Sequence, residues 1–179
     1  MSMTFLQPIE ELDKFYHQPD PWKYENTPDD KKRKEIILSE IPEKPYHNVL
    51  DIGCGHGFIT RDLPGDNILG VDISANAIKQ AKIHETIRHK YIQSSIFDLP
   101  AKTQNKYDLI CITGVLYPQY IGYSHNLIYL ILDRLLVNDG ILVCCHIDEW
   151  YRSRFPYLML EYYLFGYREY TQRLEIYIK

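Results

Sequence analysis

No apolar run in this chain approaches the roughly 18 residues that a membrane-spanning helix needs, which argues against an integral helical membrane protein. The start, Met1 to Glu10, lacks a basic stretch followed by an apolar one. No secretory leader is therefore expected, and a cytoplasmic location is. A basic surplus is missing as well: Lys and Arg total 20 against 24 for Asp and Glu, a formal charge of −4, which disfavours a nucleic-acid partner. Cysteines are few. Cys54, Cys111, Cys144 and Cys145 fit no zinc spacing, and the adjacent pair would point to opposite faces of a strand. They are expected to be reduced thiols, and no metal is expected. Repeats and low-complexity runs are absent too.

What is present suits one globular domain. The chain has 179 residues, 45% hydrophobic and 25% charged, which excludes a disordered or fibrous class. A chain of this size buries roughly 70% of the surface exposed when unfolded. One domain over 1–179 is expected, with a helical, polar arm over 1–46 and a core over 47–179.

The core alternates strand and helix signals. Asn48–Ile52, Asn67–Asp72, Lys90–Gln93, Tyr107–Ile112 and Ile141–Cys145 read as near-continuous apolar strands. In the arm, Thr27-Pro28-Asp29-Asp30 opens a helix that stops before Pro42. Ser74 caps a second helix, and another runs from about Ser124 to Val137. An aromatic helix from about Glu149 to Phe165 and one strand near Arg173–Ile178 are expected to finish the chain. Such alternation predicts a three-layer αβα, doubly wound, mostly parallel sheet, with its ligand at the carboxyl ends of the strands. Only 34 residues follow Cys145, so the terminal strand region is expected to be shortened, with one strand or a very short hairpin.

Asp51-Ile52-Gly53-Cys54-Gly55-His56-Gly57 follows the first strand directly. Glycines there allow a sharp turn and close approach of a ligand to the main chain. Asp72 ends the next strand, where a carboxylate suits a ribose diol. A nucleoside-containing cofactor is implied. The dinucleotide fingerprint would need glycine at position 58, where Phe58 stands. That argues against a nicotinamide-dependent oxidoreductase, which nevertheless remains one alternative. A catalytically silent cofactor-binding module is another.

Val49 to Gly57, with Gly70-Val71-Asp72-Ile73-Ser74, resembles the class I S-adenosylmethionine-dependent methyltransferases; the likeness runs from about Tyr46 to Gly140. The resemblance implies S-adenosyl-L-methionine as cofactor. It implies Asp51, Gly53, Gly55 and Gly57 around the methionine part and Asp72 at the ribose. Ile73, Ser95, Ile96 and Thr113 complete the cofactor set at the strand ends. Many members carry an acid at the Ser95 position to take the adenine amine; Asp98 is the nearest substitute here.

Asp20-Pro21-Trp22-Lys23-Tyr24, with Asp30 and Arg33, is similar to a signature of a narrower group that includes the nodulation N-methyltransferases and related sugar and small-molecule enzymes. The resemblance implies Trp22 and Tyr24 as a lid over the cofactor and Arg33 as partner of a carboxylate. It also implies a small polar acceptor methylated on nitrogen or oxygen, with an amino sugar or nucleotide sugar among the candidates. The chain is expected to act as a monomer or homodimer.

For the transfer itself, His146 after the fifth strand is the candidate base. Asp148 and Glu149 lie beside it, and Tyr117 and Tyr120 are placed to flank the acceptor. His56 reads as a space-filling loop residue.

Overall fold

A computed structural model describes residues 6–179; positions 1–5 of the stretch read for a leader lie outside the described residues. Its elements are α1 (Ile9–Phe15), α2 (Pro28–Glu40), β1 (Asn48–Ile52), β2 (Asn67–Asp72), α3 (Ala75–Ala81), β3 (His89–Gln93), α4 (Leu99–Lys102), β4 (Tyr107–Thr113), α5 (Pro118–Ile121), α6 (His125–Leu135), β5 (Leu136–Ile147), β6 (Leu158–Tyr167) and β7 (Tyr170–Ile178). The strands form one seven-stranded sheet in the order β3-β2-β1-β4-β5-β7-β6. β1 to β5 pair in parallel, and β7 runs antiparallel between β5 and β6. The chain reverses direction across the sheet at β1, the switch point where ligands bind in such folds.

Strand alternation sorts the core onto two faces. Leu50, Ile110, Leu142 and Cys144 pack with Ile128, Leu132 and Leu135 of α6. Val49, Leu109, Val143 and Cys145 pack with Ile37 of α2. Cys144 and Cys145 thus take opposite faces, and all four thiols are free. α3 begins as the sequence suggests, with the Ser74 hydroxyl accepting from the Ala77 amide at 3.0 Å. Thr27 does not cap α2 with its side chain; its hydroxyl donates instead to the Lys23 carbonyl at 2.7 Å.

The end of the chain differs from expectation. No helix forms over 149–165. The stretch 148–157 is turn and irregular chain, and β6 and β7 make a ten- and nine-residue hairpin. What is short is the connection between β5 and β6, not the strands. Tyr and Phe fit a pleated surface better than a helix, and pairing with β7 decides the outcome. The connection is held down by buried charge. Arg173, 1% exposed, reaches Asp148 at 2.5 Å and stacks under the Tyr151 ring, while Arg154 reaches the buried Glu175 at 2.5 Å.

Candidate functional site

A cavity of about 420 Å³ opens above β1, β2 and β4. Its floor is the glycine loop. Gly53 and Gly55 both have positive φ, +78° and +54°. A Cβ on Gly53 would lie 2.1 Å from Val115 Cγ2, and one on Gly55 would lie 2.9 Å from the Tyr16 hydroxyl, so neither position tolerates a side chain. The Gly53 and Cys54 amides donate to the Val71 carbonyl at 2.8 and 3.0 Å, which ties the loop to β2.

Two buried carboxylates face this floor from neighbouring strands. Asp51, 1% exposed, accepts from the Thr60 hydroxyl at 2.5 Å through Oδ2, while its Oδ1 is buried without a partner. Burial pushes the Asp51 carboxyl up to about 7, against the opposing pull of the Thr60 bond. Asp72 accepts from the Gly55 amide through Oδ2 and from the Ser74 amide through Oδ1, each at 2.9 Å. It therefore clamps the loop to the start of α3. Burial also raises the Asp72 carboxyl, partly offset by these amides.

The arm forms the roof. Trp22, Tyr24 and Arg33 line the cavity, as do Leu12 and Tyr16. Trp22 stacks on Phe15 with centroids 5.3 Å apart. Two latches hold α1 to α3. Asp13 Oδ1 accepts from the Ser74 hydroxyl at 2.5 Å and the Asn76 amide at 3.0 Å, so an acid from the arm caps a helix of the core. The Gln80 side-chain amide donates to the Tyr16 carbonyl at 2.5 Å. The sequence reading missed α1 as a wall. Its signal was there: Ile9, Leu12 and Tyr16 share one helical face.

Ile73, Ser95, Ile96 and Thr113 also line the cavity. The Ser95 side chain already accepts from the Phe97 amide at 3.2 Å, and Asp98 remains exposed at the start of α4. Gly57 lies in the loop but outside the cavity wall; its missing side chain makes room for Tyr91, whose hydroxyl would be 3.0 Å from a Cβ there. His56 is buried beneath Tyr24, centroids 6.0 Å apart, beside Glu25.

Of the three residues expected at the acceptor, Tyr120 lines the cavity, but His146 and Tyr117 do not. β5 continues to Ile147, so His146 is a strand residue and its side chain enters the α6 face rather than the cleft. It is 1% exposed, and its Nε2 accepts from the Leu116 amide at 3.2 Å. Burial, with Arg173, Arg33 and His125 nearby, pushes its pKa down to about 3. The Tyr117 hydroxyl accepts from the Ile147 amide at 2.9 Å, and its ring meets His146 edge-on at 5.6 Å. Together they pin the chain after β4, whose Thr113, Gly114 and Val115 do face the cavity. Asp148 and Glu149 are bonded to β7.

A family model described as a methyltransferase domain matches residues 43–169. The chain belongs to the methyltransferase domain family. An uncharacterised protein of Methanocaldococcus jannaschii is 31% identical to this methyltransferase domain over 153 residues, 79% of this chain and 63% of that protein. Two solved structures share the fold. The N-methyltransferase NodS of Bradyrhizobium japonicum WM9, in complex with S-adenosylhomocysteine, superposes with a TM-score of 0.77 at 18% identity, covering 96% of this chain and 97% of that one. The magnesium protoporphyrin IX methyltransferase of Synechocystis, with bound S-adenosylmethionine, gives 0.68 at 16% identity, covering 97% and 98%. Among the described residues, no helix is long and apolar enough to cross a membrane, and no group of three or more His, Cys, Asp or Glu is placed to hold a metal ion.

Proposed function

We propose that this chain transfers a methyl group from S-adenosyl-L-methionine to a nitrogen or oxygen of a small polar acceptor, and that an amino sugar or nucleotide sugar is the acceptor class to test first. One observation carries the cofactor reading. Around a single cavity lie a buried carboxylate oxygen without a partner, Asp51 Oδ1, and a buried guanidinium nitrogen without a partner, Arg33 Nε. A zwitterionic amino-acid end satisfies both, and burial makes each expensive to leave unpaired. Asp72 keeps one lone pair on each oxygen beyond its amide bonds, enough to accept from a ribose diol.

The cofactor supplies a methyl group carried on a sulfonium. The chain's own residues orient and enclose. Asp51 and Arg33 fix the two charged ends, Asp72 fixes the ribose, and Ile96 with Ser95 flanks the adenine. Trp22, Tyr24 and the α1 face exclude water above. Among the described residues, no imidazole lines this cavity. His146 and Tyr117 act by holding the wall after β4, so the rate derives from alignment of acceptor and methyl group. An amine acceptor then reacts as its neutral form. The acceptor class rests on the narrower likeness around Trp22, Tyr24 and Arg33.

Labelled S-adenosylmethionine with a panel of amino sugars and nucleotide sugars tests this. Transfer of label to at least one sugar is expected, at a rate that follows the acceptor's own ionisation. Label appearing only on non-sugar amines or hydroxyls would move the acceptor class. No transfer to any acceptor, despite tight cofactor binding, would make the chain a binding module.

A further inference from the structure

The tip of the terminal hairpin reaches back to the helix that carries Arg33. Asp30, 0% exposed, is shared by three donors. Arg33 Nη2 lies 3.1 Å from its Oδ1, the Tyr167 hydroxyl donates to that same oxygen at 2.7 Å, and Arg168 Nη2 donates to Oδ2 at 2.8 Å. Arg168 also donates to the Trp22 carbonyl at 3.1 Å, and its backbone amide donates to Asp29 at 3.1 Å. The Arg33 guanidinium sits between two rings, 5.1 Å from the Tyr24 centroid and 5.2 Å from that of Tyr167.

Charge balance gives this arrangement a purpose. One buried carboxylate faces two guanidiniums, which leaves a single positive charge in the cluster. Asp29 takes only the amide of Arg168 and is partly solvated, so it offsets little of that charge. Without Arg168, Asp30 and Arg33 would neutralise each other, and Arg33 would turn its donors toward Asp30. Arg168 also stands at φ 53° in a two-residue hairpin turn where glycine is the usual occupant. A non-glycine residue in that conformation is over-determined by its surroundings, here by three hydrogen bonds to the arm and α2.

We propose that Tyr167 and Arg168 are positioning residues for cofactor binding: by sharing Asp30 they leave Arg33 with an uncompensated charge and an unpaired Nε for the carboxylate end of the cofactor. This rests on the S-adenosylmethionine reading above. Neither residue lines the cavity, so each acts through Arg33.

The test is calorimetry on the full chain with two probes. S-Adenosylhomocysteine carries the carboxylate; methylthioadenosine keeps the nucleoside and sulfur but lacks it. Arg168→Ala is expected to weaken S-adenosylhomocysteine about five- to tenfold, discounted for solvent at the partly exposed Arg168, and methylthioadenosine by less than about twofold. Arg168→Lys should recover most of the loss, because it restores the charge. Tyr167→Phe should act in the same direction more weakly. Equal losses for both probes, or no loss for S-adenosylhomocysteine, would overturn the proposal while leaving the cofactor reading intact. A wild-type chain that binds neither probe would overturn both.

Discussion

Asp51 and His146 are both buried titratable groups, and burial drives them in opposite directions. Asp51 is held up to about 7, so the folded chain binds its proton more tightly than the unfolded chain does. Its contribution to stability is full below the ordinary value of 3.8 and is lost as pH rises through 7. A cation placed against its free oxygen reverses that preference. S-Adenosylhomocysteine binding should therefore release about half a proton at pH 7 and weaken as pH falls toward 6. Calorimetry in two buffers of different ionisation heat reads the proton directly; binding with no proton release would take Asp51 away from the ammonium. His146 is depressed to about 3, below the ordinary 6.5, so the unfolded chain gains protons first. Its contribution is intact above 6.5 and declines below it, by about 1.4 kcal/mol per unit at most. In His146→Gln, the slope of unfolding free energy against pH between 6.5 and 4 should flatten by about that amount. An unchanged slope would mean that His146 is protonated in the folded chain.

Among the elements, the arm was only partly legible in sequence. Trp22 and Tyr24 were visible as an aromatic pair in a polar stretch, but the latches were not. Asp13 meets Ser74 and Asn76 across more than sixty residues, and no local pattern encodes that pairing. Asp13→Ala removes a charged cap from α3 and frees α1. Tryptic cleavage at Lys14 should then quicken several-fold, and S-adenosylhomocysteine should restore protection. Cleavage at the wild-type rate would show that the arm is held by its apolar face alone. The glycine loop, by contrast, was legible at Gly53 and Gly55, although Gly57, expected beside the cofactor, faces Tyr91 rather than the cavity. Its conformations and its clearance from Val115 and Tyr16 admit only glycine, so the constraint is written in residue type. β6 was misread because its turn, Arg168-Glu169, carries none of the usual hairpin residues. His146 was misread because β5 runs two residues past Cys145 and carries it under the surface.

Across the whole molecule, the sheet order explains the division of labour. β1 at the switch point supplies the loop and Asp51, and β2 supplies Asp72. β4 supplies the wall with Thr113, and β5 braces that wall from behind. The far edge, β7 and β6, returns through Tyr167 and Arg168 to the arm that roofs the same cavity. The cavity is thus enclosed by the arm and the strand ends, and the hairpin tip buttresses that arm, around a core that places two acids on neighbouring strands. Calorimetric titration of the full chain with S-adenosylhomocysteine, beside Asp72→Ala, tests that account most directly. It predicts one site in the wild-type chain and an affinity about ten- to a hundredfold lower in a folded Asp72→Ala, the loss of hydrogen bonds to a charged group. A wild-type chain that takes up no ligand, or a folded Asp72→Ala that binds as tightly, would contradict it.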